Sequence, residues 1–209
     1  MATNKEKLTQ RFSTRRIEAL SDGVFAIAMT LLVLNLDVSE LGDVTTNQQL
    51  WNALQGMSHQ LLSFLVSFLF LGAMWAVHTR QFEYIKETDR HLIFLNTLRL
   101  LTVVTIPFTT SIASDFHQIP LAQIIFPINV FLLIAISFWQ WQYATSARSG
   151  LDNSISKTAL LKANRRNSII LMTSFCVIIL SYFFGLASFL LFWVVALITG
   201  RPLKKYLDS

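Results

Sequence analysis

Residues 15–40 read RRIEALSDGVFAIAMTLLVLNLDVSE. From Gly23 to Leu34 the stretch is apolar apart from Thr30, yet it opens on Arg16, Glu18, Ser21 and Asp22. A hydrocarbon core ~30 Å thick takes about 20 apolar residues to cross as a helix, and this run fits. Charges at the mouth of such a helix are expensive and need partners. At ~100° per residue, Gly23, Ile27, Thr30 and Leu34 fall within an arc of ~60°, with Leu31 beside it and Asp22 expected on the far side. From the pattern alone, that stripe reads as a packing face, since spacings of three and four are common in any helix bundle.

The remaining sequence extends the membrane reading. The chain has 209 residues, 53% hydrophobic and 14% charged, against roughly 25% charged in soluble domains. Its charges are bunched between apolar runs. About six spans are expected, at 18–38, 49–80, 91–113, 119–145, 167–184 and 187–200, the last two joined by a tight turn at Gly185. Residues 1–209 thus form a single all-α transmembrane domain. Pro107 and Pro127 are expected to kink the third and fourth spans.

Every lysine and arginine except Arg99 falls in one of four clusters. They are Lys5 to Arg16, Arg80 to Arg90, Arg148 to Arg166, and Arg201 to Lys205. The alternate loops, 39–48, 114–118 and 185–186, hold Glu40, Asp43 and Asp115 instead. All basic clusters therefore lie on one side, which predicts cytoplasmic termini in a multi-pass plasma-membrane protein. An odd number of spans would break the alternation. The net charge of +5 thus serves orientation, and no nucleic-acid partner is expected. Residues 1–16 read as a polar tail rather than a signal peptide, and 146–165 as the one polar linker. Cys176, the sole cysteine, is expected to be a small packing residue.

No HExxH, phosphate loop or nucleophile elbow occurs, nor a TVGYG-type filter or an arginine-rich voltage sensor. No enzyme activity and no cofactor are expected, and no metal site converges. The ionisable or polar residues in or beside spans are Arg16, Glu18, Asp22, His59, His78, Asn96 and Arg99. Of these, Arg16, Asp22, His78, Asn96 and Arg99 fall near the cytoplasmic ends of the first three spans, which puts them at one depth. Trp75 and His78 lie three apart, hence on one helix face. Juxtamembrane anchoring, with Arg16 snorkelling, explains some of them equally well.

Arg16-Ile17-Glu18-Ala19-Leu20-Ser21-Asp22 resembles the Arg-x-x-x-Phe-Ser-Asp signature of the transmembrane protein 175 family, with Leu20 in place of phenylalanine. Gly23 to Leu34 is similar to that family's first helix, Trp75-Ala76-Val77-His78 to its Trp-x-x-His element, and Asn96 and Pro107-Phe108 to positions of its third helix. The resemblance implies a potassium-preferring cation channel without the usual filter loop. Six helices per chain would assemble as a homotetramer around a central pore lined by the first helix. It further implies that Gly23, Ile27, Leu31 and Leu34 line the pore, with Ile27, Leu31 and Leu34 as apolar constrictions. Thr30 would be the polar layer near which potassium passes. Arg16, Ser21, Asp22, Trp75, His78 and Asn96 would brace the pore helix, with Leu20 filling an apolar pocket. A proton-permeable or proton-coupled transporter using a His78/Asp22 pair is the alternative.

Overall fold

The computed structural model describes residues 12–146 and 156–199. The basic residues Lys5, Lys7, Arg11, Arg148, Arg201, Lys204 and Lys205 lie outside the described residues. Helix α1 (Arg15–Leu31) continues as a 3₁₀ turn to Asn35. It follows strand β1 (Phe12–Ser13), which pairs antiparallel with β2 (Glu87–Thr88). That two-residue ladder holds the start of α1 and the loop around Thr88 at the same end of the bundle. At the other end a 3₁₀ turn, Val38–Leu41, is capped by Asp37, which accepts from the Ser39 amide at 2.8 Å. That bond holds the Asp37 carboxyl below the usual carboxylate range.

The expected second span divides in two. Helix α2 (Asn47–Gly56) starts with a reciprocal capping box between Thr46 and Gln49 and buries none of its residues. Helix α3 (Ser58–Tyr84) then crosses alone. The third span also breaks. Helix α4 (Arg90–Val104) stops at Thr105, and α5 (Ile106–Asp115) begins with Pro107 in its first turn. Proline supplies no N–H and fits a helix start rather than its interior. The Thr105 hydroxyl bonds the Leu101 and Thr102 carbonyls at the break, at 3.2 and 3.0 Å. Helix α6 (Pro120–Ser146) carries Pro127 buried inside it.

Helix α7 (Lys157–Phe184) begins within the expected polar linker, where the Ser156 side chain caps the Ala159 amide at 3.1 Å. It ends at Gly185, whose φ of +54° is left-handed. A Cβ there would stand 2.8 Å from Gln123 Oε1, the movable end of a side chain, so it is the backbone conformation that selects glycine. A 3₁₀ turn, Gly185–Phe189, leads into α8 (Leu190–Thr199). Among the described residues five stretches are long and apolar enough to cross a membrane: Arg15–Asn35, Ser58–Tyr84, Arg90–Asp115, Pro120–Ser146 and Lys157–Val195. The fifth and sixth expected spans share the last of these, with the turn at Gly185 inside it.

The core forms where α1, α3, α4, α6 and α7 meet, at Phe25, Leu71, Val103, Phe126, Leu133 and Val177. Helix α7 turns Thr173, Ser174, Val177 and Ser181 inward. Cys176 falls on its other face and is exposed, so it does not pack in the core as the sequence suggested.

Candidate functional site

Helix α1 has two faces of opposite character. Ser21, Phe25, Ala28 and Leu32 are buried, at helical spacings of four and three. The opposite stripe is open. Ile27 is 60% exposed, Leu31 43% and Leu34 71%, with Gly23 and Thr30 also exposed on that face. Burying a leucine-sized side chain is worth about 1.5–3 kcal/mol, so an apolar stripe left uncovered by its own chain has another environment to meet. The Thr30 hydroxyl donates to the Ile27 carbonyl at 2.8 Å. Its proton is thereby spent on the helix, and the oxygen lone pairs face outward.

Asp22 is not opposite the stripe. It lies on the flank, about a quarter turn away, and is exposed. There it accepts from Trp75 Nε1 of α3 at 2.8 Å. The face opposite the stripe is instead held by a neutral hydroxyl. Ser21 Oγ donates to the Ile17 carbonyl at 2.8 Å and accepts from Asn96 Nδ2 of α4 at 3.2 Å.

From Asn96 a buried polar chain crosses the bundle. Gln140 Nε2 of α6 donates to Asn96 Oδ1 at 3.4 Å. Arg99 Nη1 donates to Gln140 Oε1 at 3.3 Å and to Gln81 Oε1 at 3.2 Å, and lies 3.0 Å from His78 Nδ1. Arg99 Nη2 reaches the Met74 carbonyl at 3.4 Å. The guanidinium is fully buried, and these partners are all neutral acceptors. Since Arg99 donates, His78 Nδ1 is the bare nitrogen and the ring carries its proton on Nε2. The Phe25 and Phe82 rings lie against His78, with centroids at 6.0 and 4.5 Å. The network joins α1, α3, α4 and α6, and it leaves His78 Nε2 and Arg99 Nε buried without a hydrogen-bond partner.

Of the residues singled out from sequence, Ser21, Asn96, His78 and Arg99 thus belong to one connected cluster, and Asp22 and Trp75 to a second contact on the flank. Arg16 is exposed on the first turn of α1 and takes no part in either. Asp22 and His78, the pair of the alternative reading, have different partners. Leu20 is 58% exposed, so its own chain offers it no apolar pocket. His59 is far along α3 from this cluster and stacks on His117, centroids 4.0 Å apart. Gln81 and Gln140 were not anticipated. Nothing in 136-ISFWQWQY-143 distinguishes Gln140 from Gln142 except which of them faces inward. Among the described residues no group of three or more His, Cys, Asp or Glu converges on a metal position.

The family described as endosomal/lysosomal potassium channel TMEM175 matches residues 16–107, which contain the α1 stripe, Trp75, His78 and Asn96. A potassium channel of Chamaesiphon minutus is 38% identical over 141 residues, covering 66% of this chain and 69% of that one. The chain belongs to the TMEM175 family. The crystal structure of a lysosomal potassium-selective channel TMEM175 homologue from Chamaesiphon minutus has the same fold. Its TM-score is 0.74 at 26% identity, covering 90% of this chain and 96% of that one. Against a potassium channel of Streptomyces collinus, this TMEM175 member is 41% identical over 101 residues and spans about half the relative's length, 48%. The human endosomal/lysosomal proton channel TMEM175 is 26% identical over 191 residues, 88% of this chain and 37% of the human one.

Proposed function

We propose that this chain is a potassium-preferring cation channel, built from four copies whose α1 helices surround a central pore. The observation that carries the reading is the open stripe of Ile27, Thr30, Leu31 and Leu34, with Leu34 71% exposed. One helix cannot enclose a pore, whereas a closed cyclic assembly turns this stripe into rings. Its relatives named as potassium channels support the assignment of the permeant ion.

In this reading Ile27, Leu31 and Leu34 form apolar constrictions and Gly23 leaves room at the wide mouth. Apolar rings gate by excluding water. Thr30 supplies the ring of outward lone pairs by which a partly dehydrated cation passes. Potassium gives up hydration water more readily than sodium, so modest selectivity follows. Thr30→Val keeps the shape and removes the oxygen. It is expected to lower the potassium-to-sodium permeability ratio severalfold, read from the reversal potential. An unchanged ratio would take Thr30 out of the filter.

Ser21, Asn96 and His78, through Arg99, brace the buried face of α1, while Asp22 and Trp75 fix its flank. Arg16, exposed in the single chain, is assigned to the neighbouring copy's side of the brace. Asp22→Ala and Trp75→Phe should each shift the detergent-solubilised tetramer toward smaller species, and the double variant no further than either. Independent, additive effects in light scattering would mean that the two residues do not act as a pair. The His78/Asp22 relay draws no support from this site, because His78 faces Arg99 and Asp22 faces Trp75. Both termini are assigned to the cytoplasm in a plasma membrane, in keeping with the β1–β2 ladder, which gathers Arg15, Arg16, Lys86 and Arg90 at one end.

A further inference from the structure

A cavity of about 300 Å³ opens between α3, α6, α7 and α8, away from the α1 stripe. Along α3 its wall runs from Val66 to Gln81, a length of ~22 Å at ~1.5 Å per residue. Most of that wall is aliphatic or aromatic, with Leu69, Phe70, Phe138 and Phe192 among the residues facing it. Its charged groups are both at one end, Arg80 near the end of α3 and Arg166 near the start of α7. Among the described residues no carboxylate lines the cavity. Arg166 Nε is buried without a hydrogen-bond partner.

We propose that this cavity binds one acidic phospholipid per chain, its phosphate between Arg80 and Arg166 and one acyl chain along Leu69, Phe70 and Phe138. The shape decides for a lipid over a free anion. A phosphate alone would satisfy the two arginines and leave the long apolar groove empty. The charge decides for an acidic headgroup. Two unopposed cations in a half-enclosed site favour a phosphate without a compensating ammonium. Gln81 lines the cavity and also accepts from Arg99, so an occupant would touch the polar cluster that holds α1. This inference depends on the chain spanning a membrane and not on which ion it conducts.

The test is native mass spectrometry of the detergent-solubilised protein titrated with phosphatidylglycerol or phosphatidylcholine of identical acyl chains. The parent chain is expected to retain about tenfold more phosphatidylglycerol than phosphatidylcholine, near one per chain. Arg80→Gln/Arg166→Gln should abolish that preference, and the control Lys157→Gln should keep it. Ala73→Trp, which fills the groove but leaves both arginines, should lower retention of both lipids. Equal retention of the two lipids by the parent chain would overturn the proposal. So would an unchanged preference in the double arginine variant, or full phosphatidylglycerol retention in Ala73→Trp.

Discussion

Gln81→Leu/Gln140→Leu is expected to destabilise the chain by about 3–5 kcal/mol, far more than the two single variants together. The reason is a count of donors at Arg99. Nη1 carries two N–H groups and faces three acceptors, His78 Nδ1, Gln81 Oε1 and Gln140 Oε1. Loss of either glutamine leaves two acceptors for two donors and costs about 1 kcal/mol. Loss of both leaves a fully buried cation with one side-chain acceptor there, and a buried charge stripped of partners is the costly case. Adding Arg99→Met removes the charge and should recover a large share of the loss. Unfolding in detergent, followed by tryptophan fluorescence, reads all four variants. Small additive losses, or no recovery with Arg99→Met, would mean that the glutamines do not hold the guanidinium.

The second large effect concerns conduction. Ile27→Ser and Leu34→Ser each replace an apolar ring by hydroxyls that can hold water. A constriction that opposes ions by dewetting loses that barrier when it becomes polar. Lowering the barrier by ~1.4 kcal/mol raises the rate tenfold. Single-channel conductance is therefore expected to rise by about that factor in either variant. Met29→Ser, on a half-buried position that packs against the core, should not reproduce the rise. Conductance unchanged in both ring variants would place the constriction elsewhere.

Much of this was legible in residues 15–40, and the limits of that reading are physical. An apolar run of span length closed by polar residues identifies a membrane helix, because the cost of an unsatisfied backbone leaves few other solutions. The stripe on α1 also followed from the helical period, since Gly23, Ile27, Thr30 and Leu34 recur every three or four residues, whereas the buried set of Ser21, Phe25, Ala28 and Leu32 came from the structure. The same period puts Asp22 about a quarter turn from the stripe rather than opposite it, and there it bonds Trp75. Boundaries inside long apolar runs were missed. Thr46 and Gln49 carry a helix-start signal, yet the break between Gly56 and Ser58 has no proline to mark it. Pro107 did mark a break, read as a kink where the helix ends and restarts. The polar cluster was half visible. An arginine within a span demands partners, but Gln81 and Gln140 are chosen by the packing of α3 against α6, which no local pattern encodes. The cavity beside Arg80 and Arg166 was invisible for the same reason, its walls coming from four separate helices.

Potassium conduction is measured as current across a planar bilayer holding the purified protein, with potassium chloride on one side and sodium chloride on the other. A potassium-preferring channel gives discrete cation-current steps and a reversal potential displaced in the direction that favours potassium. A folded, oligomeric protein that passes no current at any voltage, or one whose current reverses at the sodium-favouring side, would contradict it.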